Sequence, residues 1–268
     1  MAVILGGNDT LPQIALTESQ TFVPPQDGNV CIHVIGAGAG GNGGVNYGSS
    51  GGAGGYCKKN SLAVTTASSF TVVIGVGSSG QDGDSNSTAG GNSTVAGTGL
   101  SATLTANGGG ATSGNTGGGG GTASNGDVNN TGGAGGNGGS DGGGGAVGVY
   151  GTGESGAGNN PHEAGSSDAM GPSSFSGFGQ IVGDRGGLGR ANATAAGGTF
   201  PLPSRVDGGF LSGGGQIRSN GVDSNGFMMG GCSLIGGGGG GCRVPNSMPA
   251  AIGGAGGDGI VLIQYLPS

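Results

Sequence analysis

Residues 232–244 read CSLIGGGGGGCRV, with Gly236, Gly237, Gly238, Gly239, Gly240 and Gly241 consecutive between Cys232 and Cys242. Six residues without side chains bury no apolar surface, and glycine is a poor former of both helix and strand. If ordered, such a run must be held by its own N–H and C=O groups against neighbours that are equally bare.

The rest of the chain supplies such neighbours. Gly-Gly-X triplets recur at residues 40–45 (GGNGGV), 51–56 (GGAGGY), 132–140 (GGAGGNGGS) and 253–258 (GGAGGD). A period of three fits neither an α-helix nor a strand. It fits the polyproline II rod, which has three residues per turn, no internal hydrogen bonds and a rise of about 3.1 Å. Rods packed side by side can satisfy one another's backbone groups only where no Cβ keeps them apart. We therefore expect a rod bundle with residues 236–241 in its interior and the Gly-Gly-X runs nearer its surface.

Composition narrows the class. The chain has 268 residues, 77 of them Gly, with 8% charged and 4% aromatic, values that also suit a flexible linker. Phased triplets and apolar segments at both ends argue for an ordered body. Collagen is excluded, because Gly-X-Y is not maintained and only 10 residues are Pro. A net charge of −7 argues against nucleic acid and anionic membranes as partners. No apolar run is long enough for a membrane-spanning helix, so membrane insertion is not expected. The opening MAVILGGNDT lacks the basic and long apolar stretches of a leader, and cytoplasmic synthesis is expected.

Short apolar pieces within residues 1–29 read as strands or an attachment arm. VCIHVI at 30–35 is a clear strand, in which His33 reads as a strand residue with a satisfied ring. LAVTT at 62–66 and FTVVIGV at 70–76, joined by ASS, read as a β-hairpin. LSATLT at 100–105 alternates with period two, and IVLIQYL at 260–266 reads as a closing strand. No segment carries a helical apolar pattern. The expected fold is all-β plus glycine rods: a small antiparallel β-sandwich over 30–268. Its glycine-rich connections, mainly 36–55, 108–145 and 230–259, pack as a polyproline-II-type bundle, with variable loops at 146–229.

Several motifs are expected to carry no chemistry. GAGAGG at 36–41 fits a dinucleotide fingerprint, but the helix that must follow is missing. GSSGG at 48–52 fits a nucleophile elbow around Ser50 without a strand before it or a helix after it. Asp82 and Asp84 read as a solvated turn rather than a calcium site. His33 and His162 do not stand at zinc-site spacing from the cysteines. We expect no catalytic residues, metal or cofactor. Pairings Cys31–Cys57 and Cys232–Cys242 are open to the four cysteines, but four reduced, buried thiols are the favoured reading.

Side-chain chemistry concentrates at residues 146–229. Tyr150, Phe175, Phe178, Arg185, Arg190, Phe210, Arg218, Phe227 and Met228 lie there, in stretches that read as loops on a scaffold. Aromatic residues and Arg are the types that dominate binding hot spots.

TFVPPQDGNVCIHVIGAGAGG (21–41), GGAGGYCKKNSLAVTTASSFTVVIGVGSSGQDGDSNST (51–88) and GGAGGDGIVLIQY (253–265) together resemble the glycine-rich domain of phage tail and fibre proteins. The alternation of strand and glycine also resembles the extracellular glycine-rich region of anaplastic-lymphoma-kinase-type receptors. That resemblance implies a tumour-necrosis-factor-like sandwich bearing polyglycine II rods, and a homotrimer. T-even-type phage fibre-tip adhesins share the rod-bundle idea. The resemblance implies a virion tail or fibre protein acting as an adhesin for a protein or glycan receptor on the host surface. Other virion subunits are the further partners implied. A structural fibre or capsid-decorating subunit is the alternative, and an ice- or surface-binding protein a third. The resemblance leaves 146–229 uncovered, so no binding residue carries over from it.

Overall fold

A computed structural model describes residues 2–5, 13–44, 48–83, 85–138, 152–153, 155–156, 217–218, 228–229, 235–243 and 251–267. None of the described residues is helical, as the sequence pattern predicts. Two antiparallel sheets form the body. The six-stranded sheet contains β1 (Ala2–Leu5), β2 (Gln13–Leu16), β4 (Gly28–Ile35), β6 (Tyr56–Val64), β11 (Val128–Asn130) and β16 (Ile260–Tyr265) in the order β1-β2-β16-β4-β6-β11. The five-stranded sheet contains β3 (Gln20–Phe22), β7 (Phe70–Val73), β8 (Ser93–Gly97), β9 (Leu104–Ala106) and β10 (Ala123–Ser124) in the order β10-β9-β8-β7-β3.

The two strands that bracket the glycine-rich sequence meet directly, with Ile260 opposite Ile35 and Tyr265 opposite Val30. Alternation sends Val30, Ile32 and Val34 from β4 and Val261, Ile263 and Tyr265 from β16 into the space between the sheets. There they join Phe70, Val72, Val95 and Leu104 from the facing sheet. Phe22 and Phe70 pack as a tilted pair with centroids 6.5 Å apart. Full burial of each such aliphatic or aromatic side chain contributes about 1.5–3 kcal/mol.

The hairpin expected from LAVTT and FTVVIGV does not form. Residue 64 ends β6 in one sheet and residue 70 begins β7 in the other, so the Thr65–Ser68 turn is a crossover between sheets. Period-two alternation identifies both strands but says nothing about which sheet each joins. Inward Leu62 and Val64 now face inward Phe70 and Val72 across the core, which a hairpin would have placed side by side.

The glycine segments continue the strands. Residues 36–42 prolong β4, 48–55 lead into β6, 75–81 prolong β7, and 87–92 lead into β8. Residues 107–112 prolong β9, 117–122 lead into β10, 132–138 follow β11, and 253–259 lead into β16. Their backbone groups bond sideways in a three-way alternation. Gly36, Ala39 and Asn42 N–H donate to Gly55, Gly52 and Ser49 C=O; Gly38 and Gly41 donate to Gly257 and Gly254. Ala37 donates to Gly91, and Gly40 donates to the Ser78 hydroxyl at 2.6 Å. Segment 48–55 repeats the scheme: Ser50 and Ala53 bond to Gly136 and Gly133, Gly51 and Gly54 to Gly239 and Gly236, and Gly52 and Gly55 to Gly110 and Asn107. Successive residues therefore turn to different neighbours.

Residues 236–241 are all buried. They prolong no strand of the sandwich. They lie on the layer formed by 253–259, 36–42 and 48–55, exchanging bonds with all three through Gly254–Gly240, Gly239–Ala39 and Gly51–Gly239. The rod bundle thus has a layer rooted in each sheet, and the hexaglycine run begins a third layer rooted in neither.

The expectation that Gly-Gly-X runs lie near the surface holds for Asn137 and Asp258 but fails at 40–45 and 51–56, where Asn42 and Ala53 are fully buried. Glycine is demanded only where a Cβ would point at a neighbouring carbonyl. A Cβ on Gly38 would strike Gly237, and one on Gly41 would strike Gly240. Ala37 and Ala39, on either side of Gly38, are fully buried with their methyl groups accommodated.

Candidate functional site

The rods leave the sandwich together and end together. Residues 36–42 carry the chain on beyond β4. At that far end β5 (Gly43–Gly44) pairs in parallel with β14 (Cys242–Arg243), which pairs in parallel with β12 (Ile217–Arg218). Beside them β13 (Met228–Met229) pairs in parallel with β15 (Ala251–Ile252). Bridges from Asn42 to Gln81 and from Asp82 to Ile252 join the ends of further rods.

This tip is laced by short polar side chains. The buried Asn42 carboxamide accepts from Ser49 N–H at 2.6 Å and donates to Gly114 C=O at 3.2 Å, an oxygen that Ser49 Oγ also reaches at 2.9 Å. Gly114 N–H donates to Asn86 Oδ1, Gly117 N–H to Asn137 Oδ1, and the Ser87 and Thr112 hydroxyls brace each other's backbone N–H. Where rods stop, the last backbone groups lose their rod partners, and Asn, Ser and Thr side chains replace them.

Of the residues singled out for recognition, Arg218 stands in β12 in register with Arg243, and Met228 stands in β13 in register with Ala251. Both therefore belong to the tip. Tyr150, Phe175, Phe178, Arg185, Arg190, Phe210 and Phe227 lie outside the described residues, as does Cys232. Sequence reasoning did not identify the Asn42–Ser49–Gly114 brace. Its only local signal is a polar residue breaking a glycine run, which does not reveal a partner more than sixty residues away.

A second polar cluster lies on the face of the six-stranded sheet turned away from the core. His33 Nδ1 is 2.7 Å from Tyr56 Oη, and His33 Nε2 is 3.3 Å from Cys31 Sγ. Cys31 and His33 share that face because they are two apart on one strand, and Tyr56 arrives opposite Ile35 on β6. The ring is satisfied, as expected. Nucleophile, base and orienting hydroxyl follow the order of a catalytic relay, but the electrostatics oppose that use. Burial pushes the Cys31 thiol up to about 11, and the Tyr56 hydroxyl also upward. Burial, helped by the Lys58 cation, pushes His33 down to about 3. Thiol and ring are both held neutral, so this cluster is a brace rather than a thiolate–imidazolium pair.

Cys31 and Cys57 are reduced and buried. Their pairing is excluded, since Cys57 faces the core, with its thiol donating to Ser124 C=O at 3.3 Å, while Cys31 faces the opposite side of the sheet. Ser50, in the elbow-like GSSGG, is fully buried inside a rod and accepts from Gly241 N–H at 2.8 Å. Residues 36–41, which fit the dinucleotide fingerprint, form an interior rod.

The fold is an all-β scaffold whose strands are prolonged by glycine-rich segments. The chain belongs to the glycine-rich domain family, whose model matches residues 15–266. No curated protein matches the chain.

Proposed function

We propose that the chain is a phage virion protein of the tail or fibre, acting as an adhesin that recognises the host cell surface with the far end of its rod bundle. The supporting observation is that Arg218 and Met228, from the stretch richest in Arg and aromatic residues, pair with strands at that end. A polar end braced by its own hydrogen bonds is pre-organised, which lowers the ordering cost of binding. The rods themselves we read as polyglycine II helices, a reading supported by the three-way alternation of their N–H donors. A polyproline-type circular dichroism signature that melts together with the β signal checks it.

Phage particles carrying substitutions through residues 175–178 and 227–229 should lose adsorption to host cells while the purified protein keeps its circular dichroism spectrum. Normal adsorption would overturn the adhesin reading. Labelling the protein on intact particles separates this reading from that of a structural subunit, because an adhesin must lie at an exposed tip.

A further inference from the structure

The layer rooted in the five-stranded sheet carries no charge. Residues 60–81 and 85–126 contain no Asp, Glu, Lys, Arg or His, although the chain as a whole carries −7. These two stretches supply β7, β8, β9 and β10 and all four rods that continue them. β3 completes the sheet and lies in the uncharged stretch between Glu18 and Asp27. The described charged residues Asp27, Lys58, Lys59, Asp127 and Asp258 belong to the other layer or its turns, Glu18 to the connection between β2 and β3, and Asp82, Arg218 and Arg243 to the tip.

The outward positions of this layer are uncharged and mostly small. In the sheet they are Thr21, Thr71 and Ala96 in one cross-strand row, and Val73, Thr94, Thr105 and Ser124 in the next. In the rods they recur every third residue, at Val76 and Ser79, at Ala89 and Asn92, and at Gly119 and Thr122. Val23, Val73 and Val76, the exposed large hydrophobics among the described residues, all belong to this layer at 52%, 42% and 70% exposure.

The dimensions fit an interface. Strands about 4.8 Å apart make the layer roughly 20–24 Å wide, and strand plus rod make it about 33 Å long. That footprint is on the order of 800 Å², the share each partner contributes to a standard interface.

We propose that this uncharged layer is a self-association face, on which a second copy of the chain packs face to face about a two-fold axis. Such a face is self-complementary, as a two-fold contact requires. It brings two copies of net charge −7 together through the layer that carries none of that charge, which keeps the acidic groups of both copies apart. With the axis along the rods, both tips point the same way, and two receptor-binding ends would act with effective-concentration gain. The pair differs from the homotrimer that the family resemblance implies, and molecular mass distinguishes them.

Sedimentation velocity at micromolar concentration tests the proposal. The wild type should sediment at twice the 24.6 kDa chain mass. The double variant Val73→Lys/Val76→Lys, which sets like charges against each other across the axis, should raise the dimer Kd by roughly a hundredfold or more. Ser61→Lys, an exposed position on β6 in the other sheet, should leave the dimer intact. Hydroxyl-radical footprinting of the unmodified protein should show Val73 and Val76 protected on concentration and reactive on dilution. A wild-type monomer or trimer, a double variant that still dimerises, or valines equally reactive at all concentrations would each overturn the proposal.

Discussion

The sandwich and the rods solve the same problem with opposite materials. Between the sheets, stability comes from side chains: Ile32, Val34, Phe70, Leu104 and Ile263 are almost wholly withdrawn from water. In the rods there is little side chain to withdraw, and order rests on sideways backbone bonds such as Gly38–Gly257, Gly51–Gly239 and Gly54–Gly236. A core of large residues can relax around a missing group. A lattice of backbones about one hydrogen bond apart has no free space to absorb an added one. The two regions should therefore respond in opposite ways to removing and to adding atoms.

The largest effect is expected from adding atoms to a rod. A Cβ on Gly238 would overlap the Gly51 carbonyl, backbone against backbone. Gly238→Val should abolish the cooperative thermal transition, and a variant that melts like the wild type would remove the rod lattice as a source of order. Removing atoms from the sandwich should cost less. Phe70→Ala should lower stability in urea by about 3–5 kcal/mol while the protein still folds; a larger loss than that of the glycine variant would invert the contrast.

Protonation probes the outer face of the six-stranded sheet. His33 titrates near 6.5 when unfolded and about 3 when folded, so the native state disfavours its cation. The stabilisation is complete above the unfolded value and is lost as pH falls from 6.5 toward 3, at no more than about 1.4 kcal/mol per pH unit. His33→Gln should flatten that slope in pH-dependent urea melts, and an unchanged slope would assign acid sensitivity to other groups. The smallest effect belongs to Gly119, where an added Cβ would meet nothing within 4 Å. Gly119→Ala should shift stability by less than about 1 kcal/mol in either direction. A loss comparable to that of Gly238→Val would mean that glycine is required everywhere in the rods, not only where a carbonyl faces it.

Much of this contrast is legible in the chain. The β-branched runs VCIHVI and IVLIQY identify strands, because they are local patterns that fix a backbone, and the period of three in the glycine triplets sets the expectation of rods. Partner choice is not local. Nothing in LAVTT or FTVVIGV tells that a turn of a few residues crosses between sheets, and nothing in GGA at 51–53 tells that its alanine is buried while the aspartate of GGD at 256–258 is exposed. These outcomes depend on which rods stand on either side, and hence on the order of strands in two sheets. The tip is half legible for the same reason. Arg218 and Met228 stand out by composition, but their strand partners, and the Asn42–Ser49 brace beside them, depend on where distant rods end.

The position of β16 has a consequence for how the molecule is made. This strand, at residues 260–265, lies between β2 and β4, and the rod before it bonds to residues 38 and 41, which are more than two hundred positions earlier. While a ribosome is still emitting the middle of the chain, the six-stranded sheet has a gap at its centre and the innermost rod lacks a wall. Few contacts are short in sequence, so folding should be slow and should wait for synthesis to reach β16. Until then the inward side chains of β4 lack the strand that lies beside them in the finished sheet.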